Sequence, residues 1–196
     1  TKTKHMTPIE EIFKVPVYEV KLNLDLNALQ SFCKDYESKD KGRVYTNIGG
    51  YQSNNLSLKE DALQPLLKEI ENHCTLFSNS FINDKNQVVD TIWININKHK
   101  DINLSHNHPL STLSGVYYVK APPHCGSISF EHPALNVLSY YNASISVSNW
   151  NVYNSETWWK EAVENSLYIF PSWLNHLVGP NKNKTEERIS ISFNTN

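Results

Sequence analysis

The chain has little of what staples a small fold together. Its three cysteines, Cys33, Cys74 and Cys125, are odd in number and far apart in 196 residues. None belongs to a C-x-x-C pair, which argues against a disulfide framework and a structural zinc site and leaves a reducing, cytoplasmic setting as the expectation. An excess of charge is also missing: 18 basic residues stand against 20 acidic ones, a formal net charge of −2. That balance implies no general attraction to nucleic acid or anionic lipid. No run of about 18 apolar residues occurs and the start of the chain lacks a signal peptide's apolar stretch, so neither a membrane span nor secretion is expected. Linkers, repeats and low-complexity tracts are absent too, and 196 residues suit one domain. The opening Thr1–Met6 is assigned no function.

Two textures make up what is present. Ile12 to Leu24 alternates apolar and polar residues and reads as an opening strand. Leu29, Phe32, Cys33 and Tyr36 share one face of a short helix. Residues 42–55, rich in Gly, Asn and Ser, read as loop. Ser57 and Glu60 have capping-box spacing before a second helix, whose apolar stripe is Leu63, Leu66, Ile70, Cys74 and Phe77, and Pro65 suggests that its main part starts there. From Gln87 on, short strands between turns are expected at 88–97, 112–120, 126–131, 143–148, 151–153, 166–171, 175–178 and 187–194. The expected architecture is mainly β: a jelly-roll, double-stranded β-helix core over 87–196, buttressed by two or three helices from 10–85, in one domain spanning 1–196.

Three of the eight histidines command notice by position. His106-Asn107-His108 precedes the strand expected at 112–120, and His176 lies about 70 residues later, beside a strand near the end of the β-region. An antiparallel jelly roll can bring two such places together at its open mouth. An H-x-H pair plus one distant histidine offers three neutral imidazoles to one face of a metal and leaves the other face open, which suits iron(II) that must also bind a cosubstrate and dioxygen. Taken alone, such histidines are more often surface loop residues. Near the C-terminus, alternation puts Arg188, Ser190 and Ser192 on one strand face against Ile189, Ile191 and Phe193 on the other. If that polar face turns into an apolar barrel, the guanidinium needs an anionic partner. Trp93-Ile94-Asn95-Ile96-Asn97 alternates likewise, with Asn95 and Asn97 on one face.

Together these segments resemble a group of small 2-oxoglutarate/iron(II) oxygenases of bacteria and phages. The resemblance is carried by Trp93-x-Asn95-x-Asn97, His106-x-His108-Pro109, Leu113-Ser114-Gly115-Val116-Tyr117-Tyr118, Phe170-Pro171-Ser172-Trp173-x-x-His176 and the Arg188-x-Ser190 element 12 residues after His176. It covers roughly residues 90–196, with a weaker echo at Phe13-x-Val15-Pro16-Val17. It implies an Fe(II) dioxygenase that uses 2-oxoglutarate and O2, releases succinate and CO2, and hydroxylates a peptidyl side chain or a small metabolite. By the same resemblance His106, His108 and His176 would be the metal ligands and catalytic centre. Arg188 and Ser190 would hold the cosubstrate's distal carboxylate, with Asn95 and Asn97 assisting. Apart from the resemblance, Tyr117 and Tyr118 alternate to opposite strand faces, and of the two Tyr117 is expected to enter the barrel and hydrogen-bond 2-oxoglutarate.

One departure stands out. The family's usual motif is H-x-D…H, and here His108 occupies the carboxylate's place. Either His108 is the third ligand, or Glu131 supplies a carboxylate, or water fills the position. Other conspicuous residues have blander readings: Trp150, Trp158 and Trp159 as apolar core, His124 and His132 as loop residues, His73 as structural beside the helix stripe. Two rival functions are a cupin-type three-histidine dioxygenase that does not use 2-oxoglutarate, and a non-catalytic jelly-roll binding module. No nucleic-acid or membrane partner is expected. Cytoplasm, bacterial or of an infected host, is the expected location.

Overall fold

The computed structural model describes residues 11–82 and 85–196, so Thr1–Met6 lies outside the described residues. Two antiparallel sheets face each other. The larger has six strands in the order β1 (Tyr18–Lys21), β9 (Ser166–Pro171), β6 (Leu113–Lys120), β11 (Arg188–Thr195), β4 (Val89–Asn97) and β3 (Tyr51–Gln52). The smaller has five, in the order β2 (Asn47–Ile48), β5 (Ile102–His106), β10 (His176–Val178), β7 (Ser127–Glu131) and β8 (Thr157–Glu161). This is the double-stranded β-helix that the strand pattern predicts, and three α-helices accompany it: α1 (Leu26–Lys39), α2 (Gln64–Asn79) and α3 (Leu135–Ser144). Among the described residues no helix is long and apolar enough to cross a membrane.

Alternation along the central strands decides what each face of the larger sheet touches. Ile92, Ile94 and Ile96 of β4 and Ile189, Ile191 and Phe193 of β11 point outward, where they bury against Leu29 and Cys33 of α1 and Leu66, Ile70, Cys74 and Phe77 of α2. The residues between them point inward, toward the smaller sheet. A second, smaller apolar cluster lies between the sheets, built on Val116, Tyr118, Phe130, Tyr168, Phe170 and Leu174. α1 starts where Asp25 accepts the Asn27 and Ala28 amides at 3.0 and 3.1 Å. α2 carries Pro65 in its first turn, as expected, but the Ser57–Glu60 spacing makes no capping box. Ser57 accepts the Lys59 amide instead, and a short 3-10 turn, Asp61–Leu63, leads into the helix.

Other expectations fail for local reasons. The opening strand shrinks to β1, which pairs with β9 over four residues; beyond it Leu22 and Leu24 are held by the carbonyl and the side chain of Asn165. Ala143–Ser148 alternates but has no partner strand: α3 runs through Ser144 and the following residues are mostly exposed. The strand expected at 151–153 is absent too, and its place in the smaller sheet is taken by β8, whose Trp158 and Trp159 are 46% and 58% exposed rather than core. The 42–55 loop contains a hairpin turned by Gly49 and Gly50, both at positive φ. Its strand β2 pairs with β5 in one sheet and β3 with β4 in the other, so the hairpin ties the two sheets together.

Gly115 of β6 is required by packing. A Cβ there would lie 2.3 Å from the Phe193 ring and 2.5 Å from the Tyr168 carbonyl oxygen, and the latter is backbone that cannot step aside. Gly115→Ala is expected to destabilise the protein by about 1–3 kcal/mol, the usual cost of overpacking, read as a lower urea midpoint with unchanged slope. Wild-type stability in that variant would contradict this packing.

Candidate metal centre

β5 ends on His106 and β10 begins on His176, and the two are register partners across the smaller sheet. His108 follows two residues beyond the strand, in a loop stitched to the turn before β10. Its amide donates to the Ser172 carbonyl at 2.9 Å, and the Asn107 amide side chain donates to Asn175 Oδ1 at 2.8 Å. The three imidazoles converge, with one ring nitrogen from each lying within 4.8 Å of the others. His106 Nδ1 lies 2.7 Å from the Leu104 carbonyl oxygen and His176 Nδ1 lies 3.0 Å from that of Leu174. A carbonyl can only accept, so each Nδ1 carries the proton and each Nε2 keeps its lone pair for a metal. His176 is buried with its ring 4.6 Å from that of Phe170, and His108 stands 5.6 Å from Trp93.

Burial holds these imidazoles neutral. It pushes His108 down to about 4 and His176 down to about 3, aided in each case by the neighbouring His106, and it lowers His106 as well. The set offers three uncharged nitrogen donors close enough together to share one metal ion. Glu131 is not among them: it receives a long 3.4 Å hydrogen bond from Asn175 and does not line the cavity.

The triad opens into a cavity of about 350 Å³ between the sheets, shared with Arg188, Ser190, Asn95, Asn97 and Trp93. Arg188 is 1% exposed, and Nη1 donates to the Cys125 carbonyl at 2.5 Å. Its Nε and Nη2 are buried with no hydrogen-bond partner, and burial lowers its pKa, opposed by Tyr118, Cys125 and Asp101. Gly126, at φ +89°, makes room: a Cβ there would lie 2.8 Å from Nη1. Asn97 Oδ1 is likewise buried without a partner, while Asn95 donates to Ser192 Oγ at 3.0 Å.

Tyr117 is the one expected site residue that the structure keeps away. Its side chain lies in the outer core against the helical layer and donates to Asn165 Oδ1 at 2.5 Å, while Tyr118 lines the cavity. A bulge between Ile189 and Ser190 sets this: Ile189 opposes Lys120 but Ser190 opposes Tyr118, and a one-residue slip turns each side chain to the other face. The sequence carried no signal for this: the cross-strand neighbour of Ser190 shares its face, but which residue that is depends on the register and its bulge. Trp93, Asn103 and Arg43 also line the cavity and were not anticipated there.

Residues 91–194 match the family described as "Putative 2OG-Fe(II) oxygenase", which is more than half of the chain. The chain belongs to that family. No curated protein matches it in sequence. In structure it is similar to a Pseudomonas putida prolyl-4-hydroxylase (13% identity, 92% of each chain, TM-score 0.65). It is also similar to a viral collagen prolyl hydroxylase of Paramecium bursaria Chlorella virus-1 (12%, 91% of this chain and 94% of that one, TM-score 0.57). HygX of Streptomyces hygroscopicus, solved with nickel and 2-oxoglutarate bound, is a third (9%, 92% and 82%, TM-score 0.61). At such identities the likenesses bear on the fold, and the family match carries the activity. The protein is a 2-oxoglutarate-dependent Fe(II) dioxygenase, and the cupin-type and non-catalytic readings fall away.

The depressed imidazole pKa values make stability depend on pH. Unfolded histidine protonates near pH 6.5, so between there and the folded values the unfolded chain binds more protons, and stability is lost as pH falls below about 6.5. The metal-free protein is expected to unfold at lower urea at pH 5 than at pH 7.5, with a shallower dependence in His176→Asn. Equal midpoints at the two pH values would contradict a neutral, buried cluster.

Proposed function

We propose that His106, His108 and His176 hold the iron(II), and that Arg188 and Ser190 take the distal carboxylate of 2-oxoglutarate. The observation that carries this reading is the guanidinium of Arg188, buried in the same cavity as the triad with two nitrogens unanswered. A carboxylate would satisfy both at once in the fork geometry that arginine favours. Iron(II) with 2-oxoglutarate and dioxygen supplies the oxidising chemistry, oxidative decarboxylation to succinate and CO2 coupled to oxygen transfer. The chain's own residues orient and shield. The Leu104 and Leu174 carbonyls fix the ring orientation of His106 and His176, and Trp93 and Phe170 wall the centre with apolar surface. Asn97 lines the same cavity with its Oδ1 buried and unpartnered; because 2-oxoglutarate only accepts, Asn97 would serve it through its NH2, with the amide turned over.

The acceptor in this reading is a peptidyl side chain or a small metabolite, hydroxylated at carbon. The prolyl hydroxylases among the similar structures support a peptidyl substrate only by likeness of fold. Three buried, unpaired cysteines support a reducing compartment, and we assign the protein to the cytoplasm on that ground.

Purified protein given Fe(II), ascorbate and 2-oxoglutarate is expected to release succinate, and His176→Ala to reduce release to background. Arg188→Gln should raise the 2-oxoglutarate concentration needed for half-maximal rate by about 30-fold or more, since a lost buried charge pair costs about 2 kcal/mol at least. An unchanged requirement would remove Arg188 from this role. With three neutral ligands the metal keeps one more positive charge than an H-x-D…H site allows it. His108→Asp is therefore expected to bind Fe(II) more tightly and to lower the Fe(III)/Fe(II) potential, checked by anaerobic redox titration; a potential that rises or stays put would count against His108 as a ligand.

A further inference from the structure

A second guanidinium lines the cavity. Arg43, in the segment that leads into the hairpin strand β2, donates from its backbone amide to the Gln52 carbonyl at 2.8 Å, and from Nη2 to Asn55 Oδ1 at 2.7 Å. Its Cζ lies 4.9 Å from the centre of the Tyr45 ring. These contacts fix the group without neutralising it. No ion pair of the described residues includes Arg43, and its Nε is buried with no hydrogen-bond partner. A half-exposed arginine ordinarily turns toward a surface carboxylate or bulk water; this one is held at the mouth of the cavity by an amide and an aromatic face.

The surrounding chemistry is one-sided. None of the residues lining the cavity is Asp or Glu, while Arg43, Arg188 and several amide side chains are. Histidine ligates through its neutral imidazole, so a metal held by these three would add its full charge to that field. Arg188, the deeper of the two and 1% exposed, already accounts for the cosubstrate's distal carboxylate under the reading above. The cation of Arg43 is then left over. The size of the space narrows the choice further: about 350 Å³ is at the small end for a ligand pocket and must also hold 2-oxoglutarate.

We infer that the acceptor is a small anionic molecule, bearing a carboxylate or a phosphate that Arg43 binds at the cavity mouth. Arg43 is thus a specificity-determining residue, orienting the acceptor by its charged end while its reacting carbon extends toward the triad. Asn55 positions the guanidinium through Nη2, leaving Nε–H to donate to the anion. The inference rests on the assignment of Arg188 to 2-oxoglutarate.

The test uses the full chain loaded with Zn(II), a redox-silent ion that suits imidazole ligands, and 2-oxoglutarate. A bacterial small-molecule extract is divided by anion exchange into retained and unretained fractions, and each is probed by saturation-transfer NMR for binding. Each is also incubated with the Fe(II) enzyme and searched for products heavier by one oxygen. Binding and a new product are expected from the retained fraction alone. Phosphatase treatment of that fraction separates the sources: loss of the signal assigns a phosphate, persistence a carboxylate. For the molecule so found, Arg43→Gln should weaken binding at least 10-fold, with Arg43→Lys recovering part of it, and its KM should move more than kcat. A binder confined to the unretained fraction, no binder in either, or undiminished affinity in Arg43→Gln would overturn the inference. Binding of 2-oxoglutarate itself, measured in parallel, separates the two readings: its failure in the wild type overturns the Arg188 assignment instead.

Discussion

A guanidinium withdrawn from water with two nitrogens unanswered is the constraint around which this protein is arranged. Desolvating such a cation costs several kcal/mol, and nothing in the folded chain fully repays it. The fold tolerates the cost because Arg188 sits on β11, between β4 and β6, where two neighbouring ladders fix the backbone and the outward isoleucines are sealed by two helices. Glycine at position 126 and a single carbonyl at Cys125 complete its seat. An unanswered cation at a cavity wall is suited to receive an anion, and the three convergent imidazoles, which could hold a metal, line the same cavity.

The triad depends on a different kind of restraint. His106 and His176 are placed by strand register, His108 by two loop-to-loop hydrogen bonds. With His108 as the proposed ligand in place of the family's carboxylate, the site would lose a negative charge, and among the described residues no acid lines the cavity to restore it; Glu131 lies outside that lining. On that assignment the ligand sphere and the cavity wall would act in the same sense, both favouring negatively charged guests.

Much of this was legible in the sequence because strand alternation has an unforgiving period of two. Asn95, Asn97, Arg188 and Ser190 had to share a face once β4 and β11 were recognised, and the isoleucines between them had to meet the helices. The histidines were legible from spacing and family likeness together. What stayed hidden was parity and pairing. The bulge that turns Tyr118 inward and Tyr117 outward leaves no mark in composition. Ala143–Ser148 has the pattern of a strand but not the neighbour, whereas Thr157–Glu161 has a neighbour in β7 and too little alternation to announce it. Arg43 was invisible for a third reason: a loop rich in Gly and Asn gives no period at all, and only its tie to both sheets puts that residue at the cavity.

Gly115 forms part of the cavity lining, yet the space where its side chain would stand is filled from behind by the ring of Phe193, which belongs to the helix-facing core. At that point the partition between the greasy layer and the reaction chamber is one peptide thick. Repacking under α1 and α2, far from any metal or cosubstrate, is transmitted there as a displacement of the chamber's own wall. Sequence drift in the helical buttress is thus coupled to the shape offered to substrate, without any side chain of the site having changed.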